Sequence, residues 1–229
     1  MANIKRKRIS RAEKSESTRR ALIESAARVV GEYGYTGASI ARITMAANVA
    51  QGTIYNYFES RDELFSHLLP EVGKMMIEFI AGHVRAQSGL QAKERGRIRG
   101  YLEFLRTHRS FYRVLQEAEI FAPEAHRAHI DNMVRGYKKA LRQDVDHEGL
   151  VPPNEEDLEA IVYMLLGARS YLAMRLFQQD DISDDALEQM VEAYIRLVKG
   201  ELFRVEGAQS DTRAGAPRTD GSERKARPA

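Results

Sequence analysis

The sequence predicts an all-α protein of about nine helices, built as an N-terminal three-helix helix-turn-helix unit followed by a larger C-terminal helical domain. Apolar residues recur at i, i+3 and i+4 in one segment after another, helix-capping residues stand where those segments begin, and no β-branched run alternates with period two.

The elements follow in order. Between Ser17 and Glu32, Ala21, Leu22, Ala26, Val29 and Val30 form one apolar face, and Gly31 and Gly34 end it. A short helix is expected from Ser39, a ready N-cap, to about Ala46, with Ile40 and Ile43 on one side. In "AANVAQ", Asn48 can take a left-handed turn more cheaply than most residues other than glycine. A second short helix runs from about Ala50 to Tyr57, and the Ser60/Glu63 spacing of a capping box then opens a long helix to about Val84. Gly89 and Pro152-Pro153 mark loops, Pro123 suits a first helical position, Asn154 precedes "EEDLEAIVYMLL", and Ser183 precedes a helix expected to reach about Val205. Residues 207–229, rich in Gly, Pro, Ser, Thr and Arg, carry no apolar period and read as disordered.

Composition narrows the function classes. With 43% hydrophobic and 30% charged residues over 229 positions, the chain can bury a core and divide in two. No run of roughly 18 apolar residues occurs and the start is basic without an apolar stretch, so no membrane partner and a cytoplasmic location are expected. There is no cysteine, which removes disulfides, thiolate metal sites and thiol nucleophiles. The net charge is only +2, yet residues 1–20 hold eight basic side chains against two acidic ones. Such an arm fits either a polyanion, through counterion release, or a solvated tail.

The second short helix carries the most informative chemistry. Val49, Ile54 and Phe58 can face its supports, which leaves Gln51, Gly52, Thr53, Tyr55, Asn56 and Tyr57 outside. Amides on Gln51 and Asn56 match the donor and acceptor edge of adenine, Thr53 can meet a thymine methyl, and Gly52 allows close approach. The phenols of Tyr55 and Tyr57 can donate to phosphate oxygens, and Arg61 offers a forked donor at the start of the next helix. Packing of the tyrosines as aromatic knobs is the structural alternative.

From Thr18 to about Leu69 the chain closely resembles the DNA-binding domain of the TetR (tetracycline-repressor-like) family of bacterial transcriptional regulators. Ala26-Ala27, Gly34-Tyr35, Ser39, Ile43, Ala47, Val49, "GTIYNYF" from Gly52 to Phe58, Ser60 and Leu64 carry the likeness. Departures are Asn48 for glycine, Ala50 for the Ser or Thr that caps the recognition helix, Ala38 for threonine, Thr44 for alanine and Arg61 for lysine. The resemblance implies double-stranded operator DNA as a partner, with Ser39, Gln51, Gly52, Thr53, Tyr55, Asn56, Tyr57 and Arg61 in the interface. It also implies a homodimer that reads a palindrome, and repression relieved by a small molecule.

The domains expected are a basic, flexible arm over 1–17, the DNA-binding domain over 18–78, an effector-binding and dimerisation domain over 79–206, and a disordered tail over 207–229. Large apolar and aromatic residues in the middle of the chain nominate an effector pocket of Met75, Phe79, Tyr101, Phe104, Phe111, Tyr112, Leu115, Met133, Tyr137 and Arg169. The expected effector is hydrophobic, an aromatic acid or acyl thioester whose charged end meets Arg113 or Arg169. Surplus apolar surface on the last two helices nominates a dimer interface of Tyr163, Leu166, Tyr171, Met174, Leu187, Met190, Tyr194 and Leu197. An enzyme is not expected, and no cofactor, catalytic residue or metal ligand is assigned. His126 and His129 with Glu124 suggest a metal only weakly, and Glu117 and Glu119, two apart, do not face each other. A helical protein-interaction adaptor that does not read DNA sequence is the second class.

Overall fold

The structure, a computed structural model, describes residues 10–149, 154–178 and 182–201. These form eight α-helices and one 3₁₀ helix, and no strand occurs among the described residues. The order is α1 (Arg11–Gly37), α2 (Ile40–Ala46), the 3₁₀ helix Gln51–Asn56, α3 (Arg61–Val84), α4 (Leu90–Thr107), α5 (Arg109–Phe121), α6 (Pro123–His147), α7 (Glu155–Phe177) and α8 (Asp184–Val198).

Two boundaries differ from the sequence reading. The first helix starts at Arg11, so residues 11–17 are helical and not part of an arm; residues 1–9 lie outside the described residues. Ser10 and Glu13 explain the early start: Ser10 Oγ accepts from Glu13 N–H while the Glu13 carboxylate accepts from Ser10 N–H, the reciprocal capping box. At the other end α8 stops at Val198, short of Val205. Gly200 turns left-handed at φ 71° and Glu201 N–H closes onto Arg196 O at 2.8 Å, so the chain leaves the helix there. The disordered tail expected over 207–229 lies outside the described residues.

The N-terminal core is built by Leu22, Ala26 and Val30 of α1, Ile43 of α2, Ile54 and Phe58 around the 3₁₀ helix, and Leu64 and Leu68 of α3. That core runs on into the second half of the molecule through α3, which packs along α4, and through α1, which packs along α5. A smaller cluster of Val134, Tyr137, Leu141, Leu158 and Val162 joins α6 to α7. Buried apolar area of this extent is the main favourable term for such a bundle.

Candidate nucleic-acid interface and effector cavity

The helix-turn-helix is assembled by local chemistry. Ser39 Oγ accepts from Arg42 N–H at 3.3 Å and starts α2, and Asn48 makes the turn at φ 54°, as its short polar side chain allows. Ala50 gives the following segment no side-chain cap, and that segment winds as a 3₁₀ helix with Thr53 N–H on Ala50 O at 2.9 Å. Without a cap to satisfy its first donors, a six-residue helix gains by tightening to i, i+3 bonds. Ile54 and Phe58, both nearly fully buried, pin it. Gln51, Gly52, Tyr55 and Asn56 are exposed, as is Ser39, Thr53 is partly covered, and Tyr57 packs in part against the core.

Arg61, expected at a phosphate, has partners within the chain. Its Nε donates to Ala38 O at 2.9 Å, its Nη2 donates to Tyr35 O, and its guanidinium lies 4.6 Å from the Phe65 ring. The side chain therefore ties the start of α3 to the carbonyls left open where α1 meets α2.

Behind this domain lies a cavity of about 570 Å³ among α3, α4, α5, α6 and α7. Of the ten pocket residues expected, Tyr101, Leu115, Met133, Tyr137 and Arg169 line it. The other five do not. Phe104 and Phe111 are about 1% exposed and meet edge to face in the core, and Phe79 packs on Phe104. Met75 sits on the same core, and Tyr112 stacks on Phe177 at 4.1 Å, beside a separate groove. On α3 the cavity face is Met76, Ile77, Ile80 and Val84, which the i, i+4 spacing of 76, 80 and 84 could have revealed. Gln116, Glu119, His126 and Arg97 also line the space, and at Gly136 and Gly167 a Cβ would meet no atom within 4 Å.

The floor of the cavity is a buried ionic network. Glu94, 1% exposed, accepts through Oε1 from Arg169, from the Tyr137 hydroxyl and from the Tyr194 hydroxyl at 2.7 Å, and through Oε2 from Arg97 at 3.1 Å. Arg97 also pairs with Asp144, which takes Lys93 Nζ at 2.6 Å on its other oxygen. Burial alone would raise the Glu94 pKa, but Arg169, the two phenols and Arg97 together hold it below the ordinary carboxylate value. Burial would lower the Arg169 pKa, and Glu94, with Tyr137 and Tyr194, more than reverses that, so the ion pair stays charged. Nearby, His129 is pressed on Gly73 of α3 with its Nε2 unpartnered, and burial, with His126 adding to it, pushes its pKa down to about 4. Among the described residues no group of three or more His, Asp or Glu side chains is placed to hold a metal ion.

The proposed dimer residues also divide. Leu187, Met190 and Tyr194 are at most 7% exposed and belong to the chain's own core, because α8 turns its apolar face onto α4. Leu166 is half-buried at the cavity wall. Tyr163, Tyr171, Met174 and Leu197 are open to solvent, and so is Met164. Among the described residues α7 is the one helix long and apolar enough to cross a membrane, with mean hydropathy 1.3; its inward face carries Arg169 in the ion pair with Glu94.

One joint connects cavity and reading surface. Arg113 and Glu117 of α5 are bonded to each other at 2.6 Å; Glu117 accepts from Tyr35 N–H and Arg113 donates to Glu32 O at 3.0 Å. Gly34 makes this approach possible: its φ of 71° breaks the helix, and a Cβ there would stand 2.6 Å from Arg113 Nη2.

Residues 22–68 match the family described as bacterial regulatory proteins, tetR family. Over 186 residues the chain is 25% identical to the uncharacterized HTH-type transcriptional regulator YhgD of Bacillus subtilis, covering 78% of this chain and 94% of that protein. A TetR-like transcriptional regulator from Rhodococcus sp. RHA1 has a similar structure, with TM-score 0.60 and 23% identity over 84% of this chain and all of that one. The FadR regulator of Bacillus subtilis, solved in complex with stearoyl-CoA, gives TM-score 0.65 at 17% identity, over 77% of this chain and 97% of that one. Residues 22–68 thus carry the sequence of the tetR family of bacterial regulatory proteins, and the whole helical frame is matched in fold by solved regulators.

Proposed function

We propose that the protein is a cytoplasmic transcriptional repressor that binds a palindromic operator as a homodimer and releases it when a hydrophobic small molecule enters the cavity. The observation that carries this reading is the double use of α5. Leu115, Gln116 and Glu119 line the cavity, while Arg113 and Glu117, at other positions of the same helix, hold the end of α1. A ligand that shifts α5 changes the seat of the DNA-binding domain, and only a ligand with unequal affinity for the two arrangements changes DNA affinity.

Gln51, Thr53 and Asn56 are the base-reading side chains, with Gly52 allowing close approach; Ser39, Tyr55 and Tyr57 meet the backbone. The solvent-open stripe of Tyr163, Met164, Tyr171 and Met174 supports a second copy as the dimer partner, since an apolar face of this kind is seldom left to water. Paired domains would then enter successive major grooves about 34 Å apart or somewhat more. Arg113, spent on α1, is not available to an effector.

Selection of bound sequences from random duplexes, followed by gel shift on the selected site with and without candidate ligands, tests the proposal. A palindromic consensus and ligand-dependent release are expected. Association of the chain with no salt-dependent preference for any duplex would replace it with the adaptor reading.

A further inference from the structure

The chemistry of the effector can be narrowed from the cavity floor, on the effector reading above. Each carboxylate oxygen in the network is already matched to a cation: Glu94 Oε1 to Arg169, Glu94 Oε2 to Arg97, Asp144 Oδ2 to Arg97 and Asp144 Oδ1 to Lys93. The two deeply buried guanidinium groups, Arg97 and Arg169, thus face two deeply buried carboxylates, and Lys93 reaches Asp144 from the partly solvated side. A second carboxylate brought in by a ligand would have to share or displace one of these pairs, and displacing Arg169 would leave Glu94 buried beside two phenols without its nearest cation.

The floor does retain a donor. Arg169 spends Nε on the Tyr194 hydroxyl and Nη2 on Glu94 and Tyr137, and its Nη1 makes no hydrogen bond to the described residues. Arg169 lines the cavity, and Nη1 is not among the side-chain atoms sealed without a partner, so that edge is left for a ligand; Arg97 Nε, on the other guanidinium of the floor, likewise makes no hydrogen bond to the described residues, and each group offers a single edge. One N–H edge suits a single acceptor oxygen, whereas a carboxylate is recognised by two parallel donors. Around it Met76, Ile80, Leu115 and Met133 supply apolar walls, two of them adaptable thioethers.

We infer that the effector places an uncharged carbonyl oxygen, as in a ketone, ester or thioester, against Arg169 with its hydrocarbon part along the α3 and α5 walls, and that free carboxylic acids are poor effectors. The discriminating pair is 2-undecanone and decanoate, matched in chain length and different in charge. Each is titrated against the full-length protein loaded with the apolar fluorophore N-phenyl-1-naphthylamine, at about pH 8, where the acid is ionised. The ketone is expected to displace the fluorophore at a concentration about tenfold or more below that needed for decanoate. Met133→Trp, which puts an indole into the cavity, should weaken both the fluorophore and the ketone. Equal or tighter binding of decanoate overturns the uncharged-carbonyl inference and leaves the cavity standing as an effector site. Fluorophore that does not enter, or ketone binding that Met133→Trp leaves unchanged, overturns the cavity reading and the inference with it.

Discussion

The backbone N–H of Tyr35, in α1, donates to Oε2 of Glu117, in α5, across 2.8 Å and 82 residues of sequence. Arg113 and Tyr35 together hold Glu117 ionised: burial would raise its pKa, but the hydrogen bonds from these two groups and the Arg113 charge lower it. Above the ordinary carboxylate value this contact therefore contributes stability, which is lost as pH falls through the lowered value. Glu117→Ala should cost roughly 1 kcal/mol, since the carboxylate is partly solvated. Its larger effect is expected in coupling: in gel shifts, ligand should release the operator less completely from Glu117→Ala than from the parent.

At Gly34 the conformation and the crowding act together. Gly34→Ala forces a side chain into φ 71° and against Arg113, so a loss of about 2–3 kcal/mol is expected in urea unfolding. Gly136→Ala is the control: its Cβ meets nothing within 4 Å, and a small gain from helix propensity, below about 1 kcal/mol, is expected.

Side chains at the two ends of the reading segment should fail in different assays. Gln51→Ala and Asn56→Ala are expected to cost about 1–3 kcal/mol on a preferred duplex and little on a random one, without changing thermal stability. Arg61→Ala should do the reverse. It leaves the carbonyls of Tyr35 and Ala38 unpaired and should lower thermal stability by about 1–3 kcal/mol, with duplex preference retained by the folded fraction.

For association, Tyr171→Arg places a charge at the centre of the exposed α7 stripe, and sedimentation should show monomers at concentrations where the parent is dimeric. Tyr194→Phe, which removes a hydroxyl from Glu94, should leave association unchanged and reduce stability by about 1 kcal/mol.

Buried His129 sets a pH dependence of opposite chemistry to that of the carboxylates but the same sign. Below about pH 6.5 the unfolded chain takes a proton that the folded ring refuses until about pH 4, so stability falls as pH falls through this window, by roughly 3 kcal/mol in all. His129→Leu should flatten that part of the stability profile and cost nothing at neutral pH, because the ring's Nε2 has no partner to lose.

Caps and periodicity located the helix starts at Ser39, Ser60, Asn154 and Ser183 because those signals are local, one side chain meeting a backbone N–H three residues on. Asn48 and Ala50 were legible for the same reason. What the sequence concealed is direction. A helical stripe can face its own core, a cavity or a second chain with one and the same composition, so Phe104 and Phe111 went to the core, Tyr194 to an ionic network, and Tyr163 to both cavity wall and open surface. The bonds of Arg61 to the carbonyls of residues 35 and 38 were not legible, because a guanidinium at a helix start suits a phosphate and a pair of open carbonyls equally well and only the fold brings those carbonyls beside it.

Helix α3 serves two neighbourhoods with one rod: Leu64, Leu68 and Val72 fill the DNA-binding core, and Met76, Ile80 and Val84 wall the cavity. Each residue of a helix advances it by about 1.5 Å and turns it by about 100°. Inserting or deleting a single residue between Val72 and Met76 would therefore swing the whole cavity wall through a quarter turn relative to the reading head. Side chains along this helix can be exchanged one by one as a new effector demands, but its length is a phase setting, and natural variants of this protein should differ in loop lengths long before they differ there.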